Sequence, residues 1–453
     1  MKYFKFVLIC FITFVLIYFI AFKKPFEQTL QFTEENITET FQTVKSICDK
    51  DNGKLWGKNL WGPILVIDKK TRQVYANQQD KNIKLAKVGN IYTGTFPTSK
   101  VIANSTTHFE GTFWTQVADL PTNDLARNTL FIHEIFHRLQ PELGLDCNNY
   151  SNNHMEKNKA RLLLKLEWAA LEAAIDDHNK AMPSHILDAL IFRNYRRELF
   201  IGADTMENRF EIHEGFPEYT AYKLCSNSLK ELKKHLKGKK ENYWAKENFV
   251  RSFGYYSGFL YAYLLDLTSL DWKKNINAND DLGEILRNSL DLKLPDDLEV
   301  AYNTAKYRYD FSNIYNDELL ISQRKDSLHA AWHNIFSHNP TLNIPLQKPN
   351  IGFNPLNLTS IDSLGTVYDF IKITDNWGRL DVYKGGCLLD NNWQNAKIPV
   401  KSISLDSNLV RGSSWELKLK EGWQLKKVDT NYSIIFIGNS SVNANQQCPK
   451  KKE

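Results

Sequence analysis

The sequence predicts an α+β protein: a small sheet, then a long helical body, then a separate all-β domain. Three observations carry this reading. Residues 63–68, 71–76 and 111–117 are rich in β-branched and aromatic side chains, with a Lys69-Lys70 turn between the first two. Residues 120–338 hold long aromatic-rich segments of helical character. Beyond Pro340, Pro345, Pro349 and Pro355 the pattern returns to period two, as in Trp415-Glu416-Leu417-Lys418-Leu419-Lys420, with turn signals at Asn376-Trp377-Gly378 and Lys384-Gly385-Gly386. The expected units are 1–24, 25–345 and 346–453, the last a β sandwich.

The apolar run 6–22 is bracketed by Lys2 and Lys5 before it and by Lys23 and Lys24 after it. It is near the lower limit for a spanning helix, about 17 residues. Ile20-Ala21-Phe22 makes a poor cleavage site, and Val7-Leu8-Ile9 before Cys10 lacks the small residues of a lipoprotein signal. The expectation is an uncleaved membrane anchor with the body outside the cytoplasm, periplasmic or extracellular; secretion after cleavage is the alternative. Cys48, Cys147, Cys225, Cys387 and Cys448 are too sparse for a disulfide scaffold, although Cys387 and Cys448 could pair. A net charge of +5, with 24% charged and 42% hydrophobic residues, is ordinary for a globular chain. The basic stretch 230–240 lacks interleaved aromatics and reads as a solvated helix face ending at Gly238, so no nucleic-acid partner is expected. No GxSxG, Walker loop or dinucleotide fingerprint appears.

The chemistry concentrates at His133-Glu134-Ile135-Phe136-His137, preceded by Leu130-Phe131-Ile132. At i and i+4 of a helix the two imidazoles share a face and can grip one zinc ion. Glu134 lies about 100° round the helix, placed to act as general base on a zinc-bound water. Asp124 is the expected cap, and Arg138, Gln140 and Pro141 mark the end.

A catalytic zinc needs a third protein ligand. No histidine follows His137 until His154, so a glutamate on a later helix is the better route. Glu207, Glu211, Glu214, Glu218 and Tyr222 recur at steps of three or four, predicting one acidic helical face whose self-repulsion a cation would relieve. Spacing alone leaves Glu211, Glu214 and Glu218 open as the ligand. Arg193, Arg196 and Arg197 precede this segment and are expected to neutralise its acids. His154, His178, His185 and His213 read as surface or core residues, with His213 pointing away from the face of Glu214.

The run Glu214-Gly215-Phe216-Pro217-Glu218-Tyr219 resembles the EGxxEY signature of gluzincin metallopeptidases. That resemblance implies a zincin-like catalytic domain over 25–345 and makes Glu214 the third ligand of one Zn2+ ion. It implies that Glu218 hydrogen-bonds a ligand histidine, fixing its tautomer. Tyr255-Tyr256-Ser257-Gly258 is similar to the YxKG stretch of aminopeptidase-type members, implying that Tyr255, with Tyr256 as the alternative, donates to the oxyanion. The stretch 138–213 is longer than usual in that family and reads as two extra helices, 156–178 and 184–199. The set HExFHRxQ, LEWxAL, EGxxEYT resembles membrane-anchored or secreted bacterial members.

The expected function is zinc-dependent peptide-bond hydrolysis at the outer face of the membrane. No amine-binding GxMEN segment precedes His133, so the expectation is a restricted endopeptidase acting on extended protein or peptide chains laid along the strand 111–117. The alternative is a catalytically idle binding protein on a zincin scaffold, acting through its β domain.

Overall fold

The computed structural model describes residues 29–147, 150–177, 181–246, 249–353, 358–361 and 364–438. The expected anchor 1–24, His178 and Cys448 lie outside them. The fold is mixed α+β, with three mostly antiparallel sheets.

Helix α1 (Glu34–Asp51) is capped by Thr33 and buries Ile37, Phe41, Val44 and Cys48, one stripe at helical spacing. Six strands come next: β1 Ile64–Ile67, β2 Gln73–Ala76, β3 Ala86–Val88, β4 Ile91–Thr95, β5 Ser105–Phe109 and β6 Thr112–Val117. Their order is β3-β4-β2-β1-β6-β5, and only β1 and β6 pair in parallel. Central β1 is apolar throughout because Ile64 and Val66 face the helical core while Leu65 and Ile67 face a second cluster around Trp114. Strand β6 lies between β1 and β5, so both of its edges are paired. It therefore cannot receive an extended substrate, contrary to the sequence expectation for 111–117. The edge on that side of the sheet is β5.

The helical body comprises α2 Asp124–Leu139, α3 Asn158–Asp176, α4 Met182–Leu199, α5 Ala203–Phe210, α6 Phe216–Leu224, α7 Leu229–Trp244, α8 Phe253–Leu265, α9 Leu282–Ser289, α10 Leu298–Ala305 and α11 Phe311–His338. Between α5 and α6 the backbone winds as a π-helix over Glu211–Gly215. This wider turn breaks the single acidic face expected from spacing. Glu207 and Glu211 turn into a buried cluster, where Arg196 and Arg193 clasp them at 2.7–2.8 Å, while Glu214 and Glu218 turn towards α2. Arg193, Arg196, Arg197, Glu167 and Asp281 complete the cluster. The three arginines neutralise acids rather than line a surface. Charges this deep persist only when paired.

Helix α8 crosses the π-segment at a glycine contact: a Cβ on Gly215 would lie 2.5 Å from Gly258 Cα. No larger residue lets the two backbones approach so closely. Helix α7 runs through Gly238 to Trp244 instead of ending there, and Lys239 turns inward rather than into solvent.

The C-terminal strands form a seven-stranded and a six-stranded sheet with a shared core, including Leu342, Ile373, Trp377 and Leu417. The first strand, Thr341–Pro345, pairs with Asn395–Pro399, so the sheet begins before residue 346. One end of α11 lays Trp332, Ile335 and Phe336 on Ile361, Val367 and Leu388. Near its other end Glu318 is bound by Arg161 and Lys165 of α3, at 2.6 Å each. Among the described residues no helix is long and apolar enough to cross a membrane, and the cysteines Cys48, Cys147, Cys225 and Cys387 are free thiols.

Candidate metal centre

Helix α2 is capped by Asn123, whose side chain accepts from Ala126 N–H at 2.9 Å. Asp124, the expected cap, sits in the first turn and pairs with Arg127. The apolar face of Phe131, Ile132, Ile135 and Phe136 is buried in the helical core, which fixes the roll of α2 and turns His133 and His137 towards the rod of α5, π-segment and α6.

Three donor atoms converge there. His133 Nε2 and His137 Nε2 are 3.1 Å apart, and Glu214 Oε2 lies 3.5 and 3.4 Å from them. A tetrahedral zinc ion with bonds of about 2.0–2.2 Å separates its ligands by roughly 3.3–3.6 Å. Two of the observed edges fall in that range, and the third, between the two histidines, is about 0.2 Å shorter.

The outer nitrogens show what the inner ones carry. His133 Nδ1 lies 3.3 Å from Glu218 Oε2, and His137 Nδ1 lies 2.7 Å from Gln140 Oε1. A carboxylate and an amide oxygen only accept, so each Nδ1 is an N–H, and in the neutral ring each Nε2 turns a lone pair inward. Glu214 Oε2 has no hydrogen-bond donor of its own. Two lone pairs and a carboxylate oxygen facing one another need a cation between them, so these residues fit a metal ion. Burial lowers the His133 pKa, but the negative charge of Glu214 and Glu218 that would favour a metal ion outweighs it and raises it to about 10.

Glu218 is itself held. Tyr243 donates to its Oε1 at 3.1 Å and Lys239 Nζ lies at 3.1 Å, both from α7. Burial would raise its carboxyl, yet Lys239 and His133 bring it down to about 2. The anion that orients His133 is thereby fixed as an anion.

Glu134 is buried beside the two histidines, and its Oε2 has no partner. Burial raises its pKa against the lowering pull of His133 and His137. Tyr255 stacks its ring on His133, with centroids 5.6 Å apart and planes at 9°. Burial and then the negative charge of Glu214 push the phenol far up. Tyr256 gives its hydroxyl to Glu172 at 2.8 Å, away from the cluster. The π-turn also brings His213 inward, contrary to expectation: its ring is 5.0 Å from that of His137, and its Nε2 is 3.9 Å from Glu214 Oε1.

The structure thus gathers His133, Glu134, His137, Glu214, Glu218 and Tyr255 in one place. Sequence reasoning missed Gln140, His213, Lys239 and Tyr243. Gln140 was findable, since i+3 from His137 is the same helical face. Lys239 and Tyr243, at i and i+4 of α7, carry no signal that selects them from the surrounding basic run. Comparison with protein-family models, curated proteins and solved structures finds no match to this chain.

Proposed function

We propose that the chain is a zinc-dependent peptidase of the gluzincin type, holding one zinc ion on His133, His137 and Glu214 with Glu134 as general base. The observation that carries this reading is the triangle of lone-pair donors close to tetrahedral edge lengths beside a buried carboxylate with an unpaired oxygen. A bound zinc ion would supply Lewis acidity and bring the ionisation of water close to neutral pH. In this reading Glu134 accepts the proton of the attacking water and passes it to the leaving amine. A raised pKa suits a group that must hold the proton between those steps. Tyr255 supplies a hydroxyl donor for the developing oxyanion. Glu218 and its partners Lys239 and Tyr243 keep the His133 ring oriented.

The substrate is a peptide or protein in extended form, pairing along the β5 edge because β6 has no edge to offer. The apolar run 6–22 would tether the body outside the cytoplasm. The test is to incubate the purified protein and its Glu134→Gln variant with peptides derived from envelope proteins and to map new termini by mass spectrometry. The expected result is internal cleavage at a narrow set of sites by the unmutated protein alone. Equal cleavage by Glu134→Gln would sink the mechanism, and stepwise loss of N-terminal residues would sink the endopeptidase reading.

A further inference from the structure

We propose that Gln140 is a positioning residue for the metal centre, setting the ring state of His137 and locking the two ligand-bearing helices in register; the inference rests on the metal-site reading above. Gln140 is 1% exposed and caps α2, its backbone N–H bonding Phe136 O. Its side chain spans from one helix to the other. Oε1 is 2.7 Å from His137 Nδ1, while Nε2 is 2.9 Å from the His213 carbonyl oxygen and 3.5 Å from that of Ile212.

The direction of each bond is set by chemistry alone. Backbone carbonyls only accept, so the amide nitrogen must face them and the amide oxygen must face the imidazole. His137 Nδ1 therefore carries the hydrogen, and in the neutral ring its Nε2 lone pair points at His133 Nε2 and Glu214 Oε2. A rotated amide would set oxygen against two carbonyl oxygens and leave the nitrogen facing an N–H. Only one amide orientation and one tautomer satisfy every group.

The sequence explains why the carbonyls need this donor. In an α-helix the His213 carbonyl would accept from the N–H of residue 217, but residue 217 is proline and has none. That carbonyl loses its α-helical donor where the backbone opens into the π-turn carrying Glu214. Gln140 supplies a donor from the opposite helix. One amide thus couples the pitch of the Glu214 segment to the orientation of His137, and both settings are needed for three ligands to meet at one point.

The test titrates cobalt(II) chloride into the full-length chain and into Gln140→Met and Gln140→Glu, reading affinity and the ligand-field absorption band. Methionine keeps the volume and removes both hydrogen bonds. Glutamate keeps the acceptor for Nδ1 but sets a carboxylate oxygen against the two carbonyls. The unmutated chain is expected to bind one cobalt. Both variants should bind about 10–100-fold more weakly, as losses of a group that orients a ligand do, with an altered band that a purely structural role would not produce. Near-UV circular dichroism of the metal-free proteins checks folding, and if the methionine variant does not fold, the glutamate variant decides. A folded variant with unchanged affinity and band overturns the role of Gln140. Failure of the unmutated chain to bind cobalt overturns the metal-site reading itself.

Discussion

Gly258→Ala tests how the close crossing of α8 and the π-segment shapes the site. The added Cβ would lie 2.3 Å from the Glu211 carbonyl oxygen and 2.7 Å from Gly215 Cα, where ordinary contact begins near 3.4 Å. Both obstacles are backbone, so no side chain can swing aside, and α8 must retreat by about 1 Å. Overpacking on this scale costs about 1–3 kcal/mol. Alanine's better helix propensity returns about 1 kcal/mol, leaving a net loss of up to about 2 kcal/mol. For a body of this size that is at most roughly 8 °C in melting temperature. The functional loss should be larger, because α8 carries Tyr255, stacked on His133, and the π-segment carries Glu214. A displacement of about 1 Å in a reacting geometry costs on the order of 100-fold in turnover. The assays are thermal unfolding and peptide hydrolysis with zinc in excess. A Gly258→Ala protein with the melting temperature and turnover of the unmutated chain would refute the argument.

Glu218→Ala should lower zinc affinity by about 10–100-fold without abolishing binding, because His133 loses its orienting carboxylate while all three ligands remain; competition with a chromophoric chelator measures this, and unchanged affinity would remove Glu218 from the account. The chain should lose stability as pH falls below about 4. In Glu207 and Asp281, burial, which raises the carboxyl pKa, is outweighed by Arg196 and by Arg193 respectively, so their pKa values are lower folded than unfolded. Their contribution is complete above the unfolded value of about 4 and disappears as acid protonates them, each by at most about 1.4 kcal/mol per pH unit. Glu211, pushed up by burial, acts in the opposite sense and in a different window: stability falls as pH rises from about 4 towards its folded value, and it adds nothing to the slope below about 4. Urea midpoints that stay constant from pH 6 to pH 3 would contradict the reading.

How much the sequence revealed depended on whether the backbone stayed regular. His133, Glu134 and His137 are legible because i, i+4 spacing on an α-helix has one geometric meaning, and α3 and α4 fall close to their expected limits. Glu214 was singled out only by resemblance, since spacing offered Glu211 and Glu218 equally. The reason is physical: the π-turn over 211–215 rotates the helix beyond it, so four acids that look equivalent face two directions. The same turn brings His213 inward. The inward course of Lys239 depends on the acid it meets, which lies on another helix and has no echo in the local sequence. Strand β6 reads as a strand, but whether it is an edge depends on β5, whose Ser105-Thr106-Thr107-His108 carries no apolar alternation.

The most direct test of the central claim is the zinc content of the purified chain and of Glu214→Ala, measured by inductively coupled plasma mass spectrometry after dialysis. The account predicts one zinc per unmutated chain and none retained by the variant, because two histidines alone leave the tetrahedral site short of a protein ligand. Equal zinc in both proteins, or none in either after incubation with excess metal, would contradict it.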